Sequence, residues 1–152
     1  MKYKEKKINT TKLFTIITDD VKEFAVNNEI KNGVVEIFTP HTTTGLMITE
    51  NELLHLVDVR FFLDKIAPFR KEAEGPHGNV KYLHDLISLR NDVPEEEPVN
   101  GHSHIRRLFF DASVRIPVIN GKCYLGDWSD VFFIELDPGR ERTILLYSAE
   151  TS

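Results

Sequence analysis

At 152 residues, 41% hydrophobic and 28% charged, the chain is long enough to bury a core and reads as one domain spanning 1–152. Its formal charge of −5 and lack of a basic face argue against nucleic acid, and no stretch approaches the roughly 20 apolar residues that cross a bilayer. The lysines of MKYKEKKINTTK have no apolar core behind them, so a cytoplasmic location is expected, and the single Cys123 excludes an internal disulfide.

Tyr3 to Thr10 is lysine-rich with partial alternation, which predicts an edge strand, and the β-branched and aromatic run Leu13 to Ile17 predicts a second. Thr18-Asp19-Asp20 then predicts a helix cap and acidic first turn, with Val21, Phe24 and Ala25 on one face and Asn32-Gly33 as the stop. Val34 to Thr39 predicts a third strand. Beyond the threonine-rich PHTTTG comes the apolar Leu46-Met47-Ile48. Thr49 and Glu52 have the spacing of a capping box, so a helix is expected from about Glu50, with Leu53, Leu54, Val57, Phe61, Phe62 and Ile66 on its apolar face until Pro68.

From Arg70 to Gly101 the pattern is least regular: EGPHGN and NDVPEEEPVNG predict loops around a short helix from Lys81 to Leu89. Ser103 is placed to cap a further helix that would bury Ile105, Leu108, Phe109 and Ala112. Two strands, Val114 to Ile119 and Lys122 to Leu125, flank Asn120-Gly121, a strong hairpin signal. Two more, Val131 to Leu136 and Thr143 to Tyr147, flank a turn on Asp137-Pro138-Gly139. Strands at both ends with helices between them indicate an α+β fold with antiparallel pairing at the tight turns.

Six histidines are available for chemistry. His55 falls inside a helix and His77 in a loop, where surface positions are the ordinary reading. His41, His84 and His104 each fall at an element boundary, free to point into a common cleft. Three imidazoles with an open fourth position are the usual form of a catalytic divalent metal site, although no short ligand motif links these three. Glu50, at an expected helix start, reads as a capping anion, a general base or a group that orients a ligand. Thr42 and Thr43 are open to either local turn bonding or ligand contact. In GKCYLGDWS, Gly126 permits a bend whose amides could face an anion, and Trp128 is the one tryptophan. Cys123 reads as a small buried residue.

The blocks HTTTGLMITEN, YLHD, SHI, DASVRIPVINGKCYLGDW and Arg142 before TILLYSAE resemble the YjbQ family, an uncharacterised protein family (UPF0047) also called the secondary thiamine-phosphate synthase enzyme family. The likeness covers essentially the whole chain in order. It sets His41, Thr42 and Glu50 on the first block, with Thr49 replacing the usual Asn. It sets His84 on the second and His104, rather than His102, on the third. The fourth block departs: the family's Gly-Thr-Trp-Gln is here Gly126-Asp127-Trp128-Ser129, and a carboxylate touching an anionic substrate would disfavour it. The loop from Glu95 to Asn100 also looks longer than in compact members.

The resemblance implies an antiparallel or mixed β-sandwich-like core with helices packed on it, assembled as a homotrimer with the histidines near a subunit interface. It implies thiamine-phosphate synthase activity, considered secondary in the family. On this expectation His41, Glu50, His84 and His104 are catalytic, while Thr42, Thr43, Gly126, Trp128 and Arg142 bind a small phosphorylated molecule. A divalent metal, zinc or magnesium, would sit on His41, His84 and His104. Two other classes stand beside it: a metal-dependent hydrolase of another phosphoester or amide, and a non-catalytic trimeric metal- or ligand-binding protein.

Overall fold

The structure, a computed structural model, describes residues 1–69, 82–92 and 98–150. The loops expected around EGPHGN, including His77, and most of the PEEEP stretch lie outside them.

Two antiparallel sheets share one core. The larger orders β1 (Tyr3–Asn9), β8 (Glu141–Glu150), β3 (Gly33–Phe38), β5 (Ser113–Ile119) and β6 (Lys122–Cys123) across its width. The smaller orders β2 (Phe14–Ile16), β7 (Ser129–Glu135) and β4 (Thr44–Glu50). Among the described residues there are three α-helices, α1 (Thr18–Asn27), α2 (Leu53–Ile66) and α3 (Gly101–Arg107), and a 3-10 helix at Leu83–Leu89. The fold is α+β, as the sequence implied.

Strand β7 shows how the layers are joined. Successive side chains of a strand point to opposite faces. Val131 and Phe133 enter the shared core with Val35, Ile37, Ile116, Ile144 and Leu146 of the large sheet and Val21 and Phe24 of α1. Phe132 and Ile134 face the other way, against Leu63 of α2. With both faces covered, the strand reads as an unbroken apolar run rather than an alternating one.

The Asn120-Gly121 hairpin forms as expected, with positive φ at both residues (51° and 77°) and Ile119 paired to Lys122. The turn after β7 is different. β7 and β8 lie in separate sheets, so Asp137-Pro138-Gly139 carries the chain across the sandwich instead of closing a hairpin.

Several boundaries move. Glu50 does not begin a helix: it is the last residue of β4, paired with Ser129. The cap of α2 is Glu52, whose carboxylate accepts from the amides of Leu54 and His55 at 2.8 Å each and is thereby held below the usual carboxylate range. Thr49, freed from capping, bonds the half-buried His55 ring at 2.8 Å. Helix α1 ends at Asn27, not Asn32, and Thr18 is its first residue, its hydroxyl turned to Asp130 at 2.5 Å. Ser103 lies within α3 behind the N-cap Asn100.

Two expected apolar faces are not buried. In α2 only Leu63 is fully enclosed, whereas Leu53 and Phe61 are 73% and 65% exposed. In α3 the inward residues are Gly101, His102, Ser103 and Arg106, and Ile105, Leu108 and Phe109 face out. The polar inner face is satisfied by anchors. Arg106 donates to the Ala67 carbonyl and to Asp64, both at 2.8 Å, and the Ser103 hydroxyl donates to the Leu136 carbonyl.

Candidate active site

Two connections cross between the sheets at the same end of the molecule. One leads from β3 to β4 through Thr39-Pro40-His41-Thr42-Thr43; the other leads from β7 to β8 through Leu136 to Arg140. They are stitched together. The Leu136 amide donates to the Thr43 carbonyl at 3.1 Å, and the Thr143 amide donates to His41 Nε2 at 3.0 Å. This juxtaposition of distant segments produces the cleft.

The cleft encloses about 340 Å³ between Pro40, His41, Thr42, Thr43, His84, Asn100, His104, Arg140 and Arg142. His84 comes from the 3-10 helix and His104 from α3; their rings lie 4.3 Å apart between centroids, tilted by 33°. The 3-10 helix is held on α3 by Asp85, which accepts from the Gly101 amide at 2.9 Å. Only glycine fits there, because a Cβ would come within 2.5 Å of Tyr82 Cβ.

His41 is a neutral ring of defined tautomer. Since Nε2 accepts from the Thr143 amide, Nδ1 carries the proton. Its pKa lies below 6.5, first through burial and then through the Arg142 guanidinium; Glu135 opposes this and Arg140 adds to it.

Beneath the cleft lies a buried ion pair that the sequence reading missed. Arg142 Nε and Nη2 donate to the two oxygens of Glu135 at 2.7 and 2.6 Å, and Nη2 also reaches the Thr43 hydroxyl at 3.1 Å. Glu135 further accepts from the Thr10 hydroxyl at 2.7 Å and the Asp137 amide at 3.2 Å. A second acidic residue, Asp137, takes hydrogen bonds from Asn100 Nδ2 at 3.1 Å and from Arg140. The available signal was a glutamate inside the apolar VFFIEL: a buried charge requires a partner.

The threonines divide by role. Thr44 is buried in local bonding, sharing a hydrogen bond with Thr39 at 2.6 Å, Thr43 is buried against Arg142, and Thr42 is exposed at the cleft. His102, which the resemblance passed over, is buried against Phe69. Its Nε2–H donates to the Ser103 hydroxyl at 3.1 Å, because that hydroxyl's own proton goes to Leu136.

Glu50, Gly126 and Trp128 are not brought to this cleft. β4 runs away from it, and its six steps from Thr44 to Glu50 span about 20 Å. Gly126 and Trp128 line a separate polar hollow of about 440 Å³ with Lys22, Asn51, Asp127 and Asp130. Trp128 is 79% exposed and belongs to no core. Asp127, the departure from the family pattern, thus lies far from the histidines. Cys123 borders the same hollow half-buried, and burial raises its thiol pKa.

This geometry leaves a metal tripod without its His41 ligand. Neither nitrogen of His41 offers a lone pair while Nε2 holds the Thr143 amide and Nδ1 its proton. Among the described residues no group of three or more His, Cys, Asp or Glu is arranged to hold an ion.

The family model described as UPF0047 protein YjbQ-like matches residues 4–150. The chain belongs to the YjbQ family. A UPF0047 protein of Archaeoglobus fulgidus is 32% identical over 130 residues, 86% of each chain. The UPF0047 protein YugU of Bacillus subtilis is 28% identical over 138 residues, 90% of each. Among solved structures, a hypothetical protein from Aeropyrum pernix aligns with TM-score 0.79 at 25% identity, over 99% of this chain and 100% of that one. A protein of unknown function from Sulfolobus solfataricus aligns equally well, TM-score 0.79 at 26% identity, over 97% and 95%. The YjbQ fold therefore extends over the whole described sandwich. No helix among the described residues is long and apolar enough to cross a membrane.

Proposed function

We propose that the histidine cleft binds a small phosphorylated molecule and that the chain is a transferase of the thiamine-phosphate synthase type. One observation carries this reading: three histidines from distant segments converge with Arg140 and Arg142 on one cleft. In that reaction the bond from the pyrimidine's methylene carbon to pyrophosphate oxygen breaks, with the electron pair leaving on oxygen. The thiazole nitrogen supplies the pair for the new carbon–nitrogen bond. The residues then have simple tasks. His41 Nδ1–H, Arg140 and Arg142 face the developing charge on the leaving group, His84 and His104 wall the reacting carbon, and Thr42 and Thr43 border the entrance. Glu50, Gly126 and Trp128 take no part within one copy.

Synthase turnover with hydroxymethylpyrimidine pyrophosphate and thiazole phosphate tests the reading. His41→Gln and His104→Ala should each lower kcat by at least about tenfold, with Trp128→Ala unchanged. Turnover unaffected by both histidine changes would overturn it. The alternative of a divalent metal, zinc or magnesium, requires His41 to give up the Thr143 amide. Stoichiometric metal lost on His84→Ala and His104→Ala would support a metal-dependent hydrolase or a metal-binding protein instead.

We propose further that the chain assembles as a homotrimer. The support is the apolar surface left uncovered on α2 and just beyond α3, where Leu53, Phe61, Leu108 and Phe109 are all exposed. Light scattering should return three times the 17.5 kDa chain mass, and a monomer would refute it.

A further inference from the structure

The floor of the cleft carries polar atoms that the fold itself leaves unmatched. Asn100 is 3% exposed, and its Nδ2 donates to Asp137 Oδ2 at 3.1 Å. That bond fixes the amide's orientation, because the reverse placement would set a carbonyl against a carboxylate. Asn100 Oδ1 is therefore the atom left over, and it has no hydrogen-bond partner. Asp137 Oδ1 and His84 Nδ1 are likewise buried without partners. Asn100 and His84 line the cleft and Asp137 is bonded to Asn100 beside it, and three such atoms together are unusual, since buried polar groups are almost always paired. Elsewhere the chain satisfies even a buried carboxylate four times over, at Glu135.

The unmatched amide and carboxylate atoms are acceptors, and the charge of Asp137 is met at its other oxygen by Arg140. On the other side the same lining carries the cationic side chains Arg140 and Arg142, each held by a carboxylate, Asp137 and Glu135. A ligand that completes both sides needs an anion at one end and several N–H donors at the other. Two lone acceptor oxygens call for two donors: a hydroxyl supplies one, an amino group two or three. Building on the anion-binding reading above, we propose that the ligand is an amino-bearing phosphoester and that Asn100 selects for its amino group. A site built to hydrogen-bond an N–H discriminates against the analogue lacking it, because the buried acceptor then stays unpaired.

The test compares 2-aminoethyl phosphate with propyl phosphate, in which a methyl replaces the amino group, and with inorganic phosphate. Binding to the full chain is followed by NMR at the Thr143 amide. The amino ester should bind at least about tenfold more tightly than the propyl ester. Asn100→Ala should bring the two within about twofold without weakening propyl phosphate, while Asn100→Asp, which keeps an acceptor oxygen, retains the preference. Equal affinity of the two esters for the unaltered chain, with phosphate still bound, overturns the amine selection alone. No binding of any of the three overturns both this inference and the anion-binding reading. The comparison on the unaltered chain decides even if a variant fails to fold.

Discussion

Replacing Arg142 with methionine keeps most of its length and apolar stem while stranding Glu135. The pair is enclosed, with side chains only 6% and 2% exposed, so water cannot take over the lost bonds. The carboxylate loses two of its four hydrogen bonds and all of its countercharge, and keeps only Thr10 and the Asp137 amide. Breaking a buried pair from one side costs about 3–5 kcal/mol, and the two surviving donors place this case near the lower end, about 3 kcal/mol. For a chain of this size, that lowers Tm by roughly 6–12 °C. Urea unfolding and calorimetry at pH 7 and fixed protein concentration give both numbers. The double variant Glu135→Leu, Arg142→Met removes both charges and should recover at least half of the loss. A single-variant cost under about 1 kcal/mol, or a double variant as unstable as the sum of the singles, would refute the reasoning.

The tautomer of His41 is directly observable: long-range nitrogen NMR should show a protonated Nδ1 and a pKa below 6.5, whereas a protonated Nε2 would remove the Thr143 contact. His102 is held below 6.5 by burial and by Arg106, so the folded chain binds fewer protons than the unfolded one. Stability is therefore full above about pH 6.5 and falls as pH drops through that value, and the urea midpoint should decline from pH 7.5 to 5.5, less steeply in His102→Phe. Gly101→Ala forces a methyl into Tyr82 and Asp85 Oδ1, at 2.5 and 2.8 Å. It should cost about 1–3 kcal/mol and weaken the His84–His104 ring contact seen by nuclear Overhauser effects.

What the sequence disclosed was local. The Asn120-Gly121 turn and the β-rich runs form where their residues dictate, because neighbours a few positions apart decide them. Histidine placement was legible in part: His41 stands between β3 and β4 as expected, whereas His84 lies inside the 3-10 helix and His104 inside α3, although all three line one cleft. The rest depended on partners remote in the chain. Thr49 and Glu52 carry the spacing of a capping box, yet pairing with β7 extends β4 to Glu50 and leaves Glu52 to cap alone. The apolar stripe of α2 reads as a core face, but the two sheets and α1 fill the core without most of it. Asn100, Asp137 and Arg140 gave no signal, because only the crossing of the chain between the sheets sets them beside the histidines.

The bond from Thr143 to His41 joins positions 102 residues apart. Its amide proton thus reports on the contact between the first crossing and β8, because it meets solvent when the His41 ring lets go of it. No stretch of the chain shorter than that span contains the cleft, so proteolytic fragments should lose it outright. Slowed exchange at this one amide would register occupancy of the cleft before any reaction has been assigned to it.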